Sequence, residues 1–241
     1  MSGLIWYSAL VSQVSSRRGS TRSLEVSDEI RSDIISTRIP PGTRLKVGPL
    51  CERFGVSLSV VREALTRLSE QRLVRSEPQL GFSVAPLDRD GLEDLTRVRV
   101  EIESLALRWA IERADLSWET SVVAALYQLG RTPVSEPGNE NGISDAWSDA
   151  HALFHTALAS GCGSPLLTEL RRGPYESAEI YRRWARPGTL REERDVHKEH
   201  TEIAGAAIAR NVGLATSLLE AHIRRTTKTL MTSDLMNSTP D

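Results

Sequence analysis

The chain of 241 residues lacks several features that define whole classes of protein. It has only two cysteines, Cys51 and Cys162, far apart in sequence. We therefore expect no secreted domain stabilised by disulfide bonds, and the cysteine content is consistent with a reducing cytoplasm. It has no apolar run of 18 residues, so no transmembrane helix is predicted. Arginines follow the short apolar stretch near the N-terminus rather than precede it, which is the wrong order for a secretory signal. We therefore expect residues 1–23 and 236–241 to be disordered tails.

The net charge is also small, −2, but the charges are unevenly distributed. Residues 1–87 hold 12 basic and 8 acidic residues, a balance of +4, whereas residues 88–241 hold 18 and 24, a balance of −6. Within residues 38–75 the basic residues outnumber the acidic ones by 8 to 3. This asymmetry predicts two modules, the first of which faces phosphate groups.

The apolar pattern divides the chain at the same place. Helical periodicity in three segments is followed by an alternating stretch around a Pro…Gly turn, which predicts a β-hairpin. Gly55 suits the left-handed turn between the second and third helices, and Ser57 or Ser59 can cap the third. This order predicts a winged helix-turn-helix over residues 24–87. The helical segments are 24–38, 47–55 and 57–74, and the hairpin is 73–87.

From residue 88 to about 235 the pattern is helical nearly throughout. Glycine and proline break it at several points, including Gly173–Pro174. We predict six or so helices that form an antiparallel bundle. The fold class is therefore mainly α, with one small β-hairpin.

The third helix carries the candidate DNA contacts, because the second helix of a helix-turn-helix lies in the major groove. Its first residues are Ser57, Leu58, Ser59 and Arg62. The Arg62 guanidinium could reach a guanine edge or a phosphate, although an arginine there could equally do no more than solvate the helix. The residues predicted to form the core stripe are Val61, Ala64, Leu65 and Leu68.

The stretch "IPPGTRL…LCERFGVSLSVVREALTRLSEQRLVRSEPQLGFSVAPL" resembles the DNA-binding domain of the GntR family of bacterial repressors. The resemblance implies that operator DNA is contacted by the start of the third helix, by the arginine of "VREAL" and by the tip of the wing. Those positions are Ser57, Ser59, Arg62 and Gly81. The sequence departs from the family pattern at Gly48, Leu58, Arg72 and Leu80, so the family's operator sequence does not carry over. A dimer is expected, since helix-turn-helix proteins generally read two half-sites.

Four of the five histidines lie on the apolar stripes of predicted helices: His151, His155, His200 and His222. A single inward histidine is best explained as a hydrogen-bonded core residue. Three helices that each bring histidine inward favour a shared cation, because buried imidazoles need partners. The fifth, His197, lies three residues before His200, and periodicity does not decide between the two.

Residues 92–230 resemble the FCD effector-binding domain, chiefly in "HALFHTALASGCGSPLL" and "EHTEIAGAAIARNVGLATSLLEAHI". The resemblance implies that His151, His155, His200 and His222 hold a metal ion, with His151 where the family usually has aspartate. A site of three histidines without His151 is the alternative. Asp149 lies roughly 200° round the helix from His151 and is a poor substitute. Four neutral imidazoles favour Zn, Ni, Co or Cu over Mg or Ca, with Zn expected first.

The two resemblances together imply a ligand-switched dimeric regulator, a repressor that acts in the cytoplasm on operator DNA. A small organic acid would complete the metal's coordination through its carboxylate, and Arg99 would clamp it. An ion pair between Arg99 and Glu103 is the competing interpretation. A pure metal sensor is the main alternative. A metalloenzyme is disfavoured, because no glutamate accompanies the histidine pair as a general base and Glu199 is expected to point off the face.

Overall fold

The computed structural model describes residues 21–113, 115–138, 142–184 and 194–232. The chain divides into two compact units, Met1–Pro86 and Leu87–Asp241. Among the residues described, no helix is both long and apolar enough to cross a lipid bilayer. The expected tail of residues 236–241, and residues 1–20 of the other, lie outside the described part of the chain.

The first unit is a winged helix-turn-helix, which confirms the predicted fold class. Its helices are α1 (residues 21–35), α2 (Val47–Phe54) and α3 (Leu58–Glu70), and its strands are β1 (Arg44–Leu45), β2 (Val74–Glu77) and β3 (Gly81–Val84). The strands form an antiparallel sheet in the order β1-β3-β2. Residues 21–23 were expected in the tail, but they are helical, and Ser23 is fully buried. Strand β1 was not predicted, because two residues are too short to show alternation.

Local signals explain how the helices of this unit are arranged. Gly55 ends α2 with φ of 61°, the left-handed conformation predicted for it. Ser57 occupies the N-cap position of α3, but its hydroxyl makes no capping bond and lies 2.9 Å from that of Ser59. The buried face of α3 consists of the predicted stripe, Val61, Ala64, Leu65 and Leu68.

An ion-pair cluster ties α1 to the rest of the unit. The Asp33 carboxylate accepts from Arg38 at 2.8 Å and pairs with Arg53 of α2 at 2.6 Å. Burial would raise the pKa of Asp33, but the hydrogen bonds from the two guanidinium groups outweigh it and hold the pKa below its usual value. One acidic side chain therefore holds α1 and α2 together.

The second unit is all helical over the residues described. Its six helices match the predicted number and are α4 (Arg89–Arg113), α5 (Leu116–Arg131), α6 (Asp145–Ser160), α7 (Pro165–Trp184), α8 (Val196–Ile208) and α9 (Val212–Met231). N-cap side chains satisfy free backbone N–H groups at the start of four of these helices. Asp115, Ser144, Asp195 and Asn211 each accept from a backbone N–H in the following turn.

The predicted break at Gly173–Pro174 is wrong, because α7 runs through Pro174 without interruption. Proline removes one backbone hydrogen bond from a helix interior, at a cost of about 3 kcal/mol. Burial of the flanking parts of α7 compensates for this loss: Leu167 and Arg171 are buried before Pro174, and Ala178 and Tyr181 after it. Tertiary packing thus overrides the local signal.

The largest core cluster of this unit lies where α4, α5, α6, α8 and α9 meet. Phe154 of α6 and Ile203 of α8 are fully buried in it, and Leu219 and Ile223 of α9 are 2% exposed. Three of these five helices, α6, α8 and α9, carry the four candidate metal ligands. The histidines are therefore held by rigid, well-packed elements.

Candidate metal centre and nucleic-acid interface

Four histidines from three helices meet inside the second unit. Helix α6 supplies His151 and His155, α8 supplies His200 and α9 supplies His222, and each is at most 5% exposed. One ring nitrogen from each lies within 4.8 Å of the others. Ring centroids are 4.5 Å apart for His151 and His155 and 4.7 Å for His200 and His222. The spacing seen in the sequence thus does bring all four side chains to one place.

The spacing along α6 accounts for the paired orientation of its histidines. Residues four apart lie on one helix face, and Phe154, which is fully buried beside them, keeps that face turned inward. Trp147, one turn before His151, stacks on its ring at 4.7 Å between centroids and 19° between planes. Asp149, by contrast, is exposed. It therefore does not face the cluster.

The second ring nitrogens of two histidines are engaged from outside the cluster. His222 Nδ1 lies 2.8 Å from Glu199 Oε2, and His151 Nδ1 lies 2.9 Å from the Tyr175 hydroxyl. A carboxylate only accepts, so His222 Nδ1 must carry the proton and Nε2 keeps its lone pair. Partners of this kind fix the tautomer of a metal-binding histidine. His222 is therefore prepared to present Nε2 to a cation.

The other two histidines carry buried nitrogens without partners. Nε2 of His155 and Nε2 of His200 make no hydrogen bond to any residue described. A buried polar atom left unpaired costs about 1–3 kcal/mol. Two of them in one cluster need an explanation, and a shared cation supplies one. These orphaned nitrogens are the observation that favours a metal over four independent core histidines.

Charge and distance are compatible with a metal ion. Burial lowers the pKa of all four histidines, that of His222 to about 4, so the rings are neutral near pH 7. Four nitrogens held tetrahedrally about 2.1 Å from one ion lie about 3.4 Å apart. The nitrogens here lie within 4.8 Å of one another, so the longest separations would shorten by about 1.4 Å around a bound ion.

Glu199 lies behind the cluster, and the expectation that it points off this face is wrong. It is 8% exposed and holds His222, and it accepts from Arg194 Nε at 2.8 Å and from Arg225 at 3.1 Å. Burial would raise its pKa, but these partners keep the pKa well below its usual range. Periodicity missed Glu199 because α8 packs on two sides, so a residue next to His200 is also covered.

Arg99 is buried near the cluster, and it does not make the ion pair with Glu103 that was the competing interpretation of this residue. The Glu103 carboxylate instead accepts a hydrogen bond from Arg171 Nε of α7 at 3.0 Å. The Arg99 guanidinium lies 5.5 Å from the centre of the Tyr175 ring, and its Nε has no partner among the described residues. Burial lowers the pKa of Arg99 to about 10, aided by the positive charge of Arg182, so it remains charged.

A cavity of about 210 Å³ opens beside the histidines. His151 and His222 form part of its wall, with Arg182 and Arg194 as its cations. His197, which periodicity could not place, is exposed and lines the same cavity. Arg99 is not among the residues that line it. Sequence reasoning missed both lining arginines, since neither falls in a recognisable motif.

The candidate DNA contacts lie on the exposed surface of α3 and at the tip of the wing. Ser57, Ser59 and Arg62 are all exposed, on the side of α3 opposite its buried stripe. Gly81 begins β3 at the tip of the wing, with φ of 88°, a conformation that suits glycine. The structure thus leaves all four predicted residues free to meet a ligand outside this unit.

Three of the departures from the family pattern have visible consequences. Leu58 and Leu80 are 60% and 57% exposed, so apolar side chains stand on the surface that carries the candidate DNA contacts. Arg44 donates to the Leu80 carbonyl and so braces the wing. Arg72 follows α3 with φ of 62°, the left-handed region in which glycine is favoured. Gly48 lies in the first turn of α2 without any close contact.

Comparison with known families accounts for both units. The bacterial regulatory protein family gntR matches residues 22–84, and the FCD domain matches residues 94–225. The chain belongs to the GntR family. Its helical unit is an FCD domain, as its resemblance predicted.

Relatives of this GntR regulator support the same assignment along most of its length. The HTH-type transcriptional regulator BphR of Paraburkholderia xenovorans is 34% identical over 80% of this chain and 79% of its own. The transcriptional repressor GlaR of Escherichia coli is 30% identical over 80% of this chain and 89% of its own. A solved structure of a GntR regulator from Rhodococcus superposes with a TM-score of 0.71 at 26% identity, covering 88% of this chain and 98% of that one.

These relatives and domains make the chain a GntR-type transcriptional regulator. The winged unit is the DNA-binding domain of this family, and an FCD domain suggests that a small-molecule effector is bound. The histidine cluster and its cavity lie within the FCD unit.

Proposed function

We propose that this regulator is a repressor whose FCD domain binds a small organic acid with the help of a divalent transition metal, and that it acts on operator DNA as a dimer. The observation that supports the metal is the pair of orphaned nitrogens, Nε2 of His155 and Nε2 of His200, in a buried cluster. Because the protein reads chromosomal DNA, we place it in the cytoplasm with the nucleoid.

Four residues would hold the ion: His151, His155, His200 and His222. An all-nitrogen donor set favours Zn, Ni, Co or Cu, and availability puts Zn first. When bound, the ion would supply a positive charge that attracts a carboxylate. The residues around it keep the imidazoles neutral and correctly turned: Glu199 holds His222, and Tyr175 holds His151.

His151 is the ligand whose participation most needs a test. Its ring centroid lies 4.5 Å from that of His155, 5.1 Å from that of His200 and 6.4 Å from that of His222. These distances support a site of four histidines. In a site of three, His151→Ala would leave the metal content unchanged, whereas His155→Ala would abolish it.

Arginines near the cluster favour an anionic effector. We propose that Arg99 contributes to binding an acid, because it is buried, charged and lacks a partner for its Nε. Arg182 and Arg194 line the cavity itself. A carboxylate that enters this cavity would meet positive charge on more than one side.

Zinc titration and operator release together test the proposal. The purified protein should contain about one metal ion per chain by elemental analysis. Operator DNA should be released when zinc-loaded protein receives a matching carboxylate, measured by fluorescence anisotropy. Release by zinc alone would instead show a metal sensor. A protein without metal, in which His155→Ala leaves acid binding unchanged, would overturn the metal proposal.

The dimer is tested separately by light scattering on the purified protein and by half-site spacing. Winged helix proteins that read two half-sites place them one helical turn of DNA apart, or a multiple of this. A footprint over a palindrome by a protein of twice the chain mass supports the proposal. A monomer that protects a single half-site contradicts it.

A further inference from the structure

The cavity beside the histidine cluster is apolar over much of its described wall. Val134, Ile143 and Val196 line it, together with the indole of Trp147. Ile143 is 9% exposed, and Trp147 is held in place by its stacking on His151. These side chains offer no hydrogen bonds to a ligand except the single indole N–H. They therefore form a surface that suits a hydrocarbon.

Thr226 and Asp195, two further polar residues of the same wall, are already engaged. The Thr226 hydroxyl donates to the His222 carbonyl at 3.0 Å and accepts from Arg194 at 2.9 Å. Asp195 accepts from the backbone N–H of Lys198 at 2.9 Å as the cap of α8. Among the neutral polar side chains of the described wall, His197 is left to meet a ligand.

A ligand with many hydroxyl groups would fit this wall poorly. Each hydroxyl buried without a partner loses its hydrogen bonds to water, so several of them would offset the gain from a carboxylate contact. An alkyl or aryl body incurs no such cost, and it gains from the removal of its apolar area from water. The wall therefore discriminates between acids by what is attached to the carboxylate.

Charge around the cluster is positive beyond what its buried carboxylates neutralise. Glu179 contacts Arg182 and Arg183, and Glu199 contacts Arg194 and the 58% exposed Arg225. Glu103 contacts Arg171 and acts on Arg99 only through its charge. Arg183 also contacts Asp145, whose side chain is 63% exposed. The excess of arginines over carboxylates favours an anion, and the cavity of about 210 Å³ favours a small one, since drug-sized pockets span about 300–1,000 Å³.

We infer that the effector is a small carboxylate with an apolar body, a single aromatic ring or a short alkyl chain, and not a polyhydroxylated sugar acid. Its carboxylate faces the histidine cluster with Arg182 and Arg194, and its body lies against Trp147, Ile143 and Val196. This inference rests on the proposed function, since it names the class of acid that the same site takes.

Matched acids test the inference on the zinc-loaded protein. Benzoate and hexanoate are the apolar probes, and gluconate is the hydroxylated one. Thermal shift and calorimetric titration should show benzoate or hexanoate binding at least 10-fold more tightly than gluconate. Tighter binding of gluconate, or equal binding of all three, would overturn the inference.

Substitutions in the wall sharpen the test. Val196→Thr keeps the shape of the side chain and adds one hydroxyl, and it should weaken binding of the apolar acid about 5-fold or more. Ile143→Asn should weaken it further. Val123→Thr, at a position 52% exposed on α5, is the matched control and should leave binding unchanged. If Val196→Thr and Ile143→Asn fold, retain zinc and bind the acid as the parent does, the ligand does not lie on this wall.

Failure of this inference is distinguishable from failure of the proposed function. If the protein binds zinc and releases DNA with gluconate but not with benzoate or hexanoate, the function stands and the apolar class is wrong. If it holds no metal and responds to none of the three acids, the proposed function itself is wrong.

Discussion

Replacement of Glu199 by glutamine tests how strongly the metal centre depends on the carboxylate behind it. Glu199 accepts His222 Nδ1 at 2.8 Å, Arg194 Nε at 2.8 Å and Arg225 at 3.1 Å. Glutamine keeps the size of the side chain but removes its charge. One face of its amide then presents N–H groups to donors that need an acceptor.

The expected loss of stability depends on which arginines lose Glu199 as their partner. The Arg194 side chain is only 12% exposed, and removing one member of a buried pair costs about 3–5 kcal/mol. Arg225 is 58% exposed and adds little. Loss of the group that orients a metal-binding histidine typically weakens metal affinity about 10- to 100-fold. We therefore expect Glu199→Gln to lower both stability and zinc affinity.

Zinc affinity is measured by competition with a chromophoric chelator, and stability by urea unfolding of the metal-free protein. The control is Glu202→Gln, on the same helix, with a side chain 45% exposed and 3.9 Å from Lys198. It should leave both quantities unchanged. Zinc affinity within twofold of the parent, in a Glu199→Gln protein that has lost stability, would show that Glu199 is structural and does not orient His222 for a metal.

Three further predictions concern the fold, the DNA surface and pH. Arg72→Gly should raise the free energy of unfolding by about 0.5–1 kcal/mol in urea titrations, because glycine accepts the left-handed φ of 62°, while Arg72→Ala should not. Leu58→Arg should tighten DNA binding at low salt, because exposed Leu58 would be replaced by a charge that can contact phosphate. The slope of log K against log [salt] should steepen by about 0.9, and an unchanged slope would place Leu58 away from phosphate. In metal-free protein the buried histidines have pKa values below the usual 6.5, so the unfolded chain takes up protons that the folded one refuses. Stability should be full above about pH 6.5 and fall as the pH drops below it, and zinc should oppose the loss at pH 6; a flat profile from pH 7.5 to 5.5 would contradict the burial.

Much of the fold was readable because its signals are local. The stripe Val61, Ala64, Leu65 and Leu68, the turn at Gly55 and the hairpin around residues 77–81 each depend on neighbours in sequence. Where the outcome depended on packing, local reasoning failed. Pro174 lies inside a helix, and residues 21–23 belong to one.

The candidate site also combines features that local sequence signals predicted and features that depended on packing. Histidine periodicity and the family resemblance together selected all four clustered rings. The apolar face of each helix must face the core, so the histidines on these faces point inward. Sequence gave no indication that Arg171 rather than Arg99 would bond Glu103, since 68 residues separate that pair. The orientation of Glu199 was predicted wrongly because helical periodicity identifies one buried face, whereas α8 packs against other helices on two of its faces.

The stacking of Trp147 on His151 has a thermodynamic consequence. If an effector lies on the indole while the imidazole holds an ion, the two occupants share one helical turn and cannot bind independently. Linkage then makes the coupling reciprocal: whatever factor the ion adds to the affinity for the acid, the acid adds to the affinity for the ion. Under the proposed function, zinc supply would therefore set the acid concentration at which the operator is released, and one regulator would respond to both ligands.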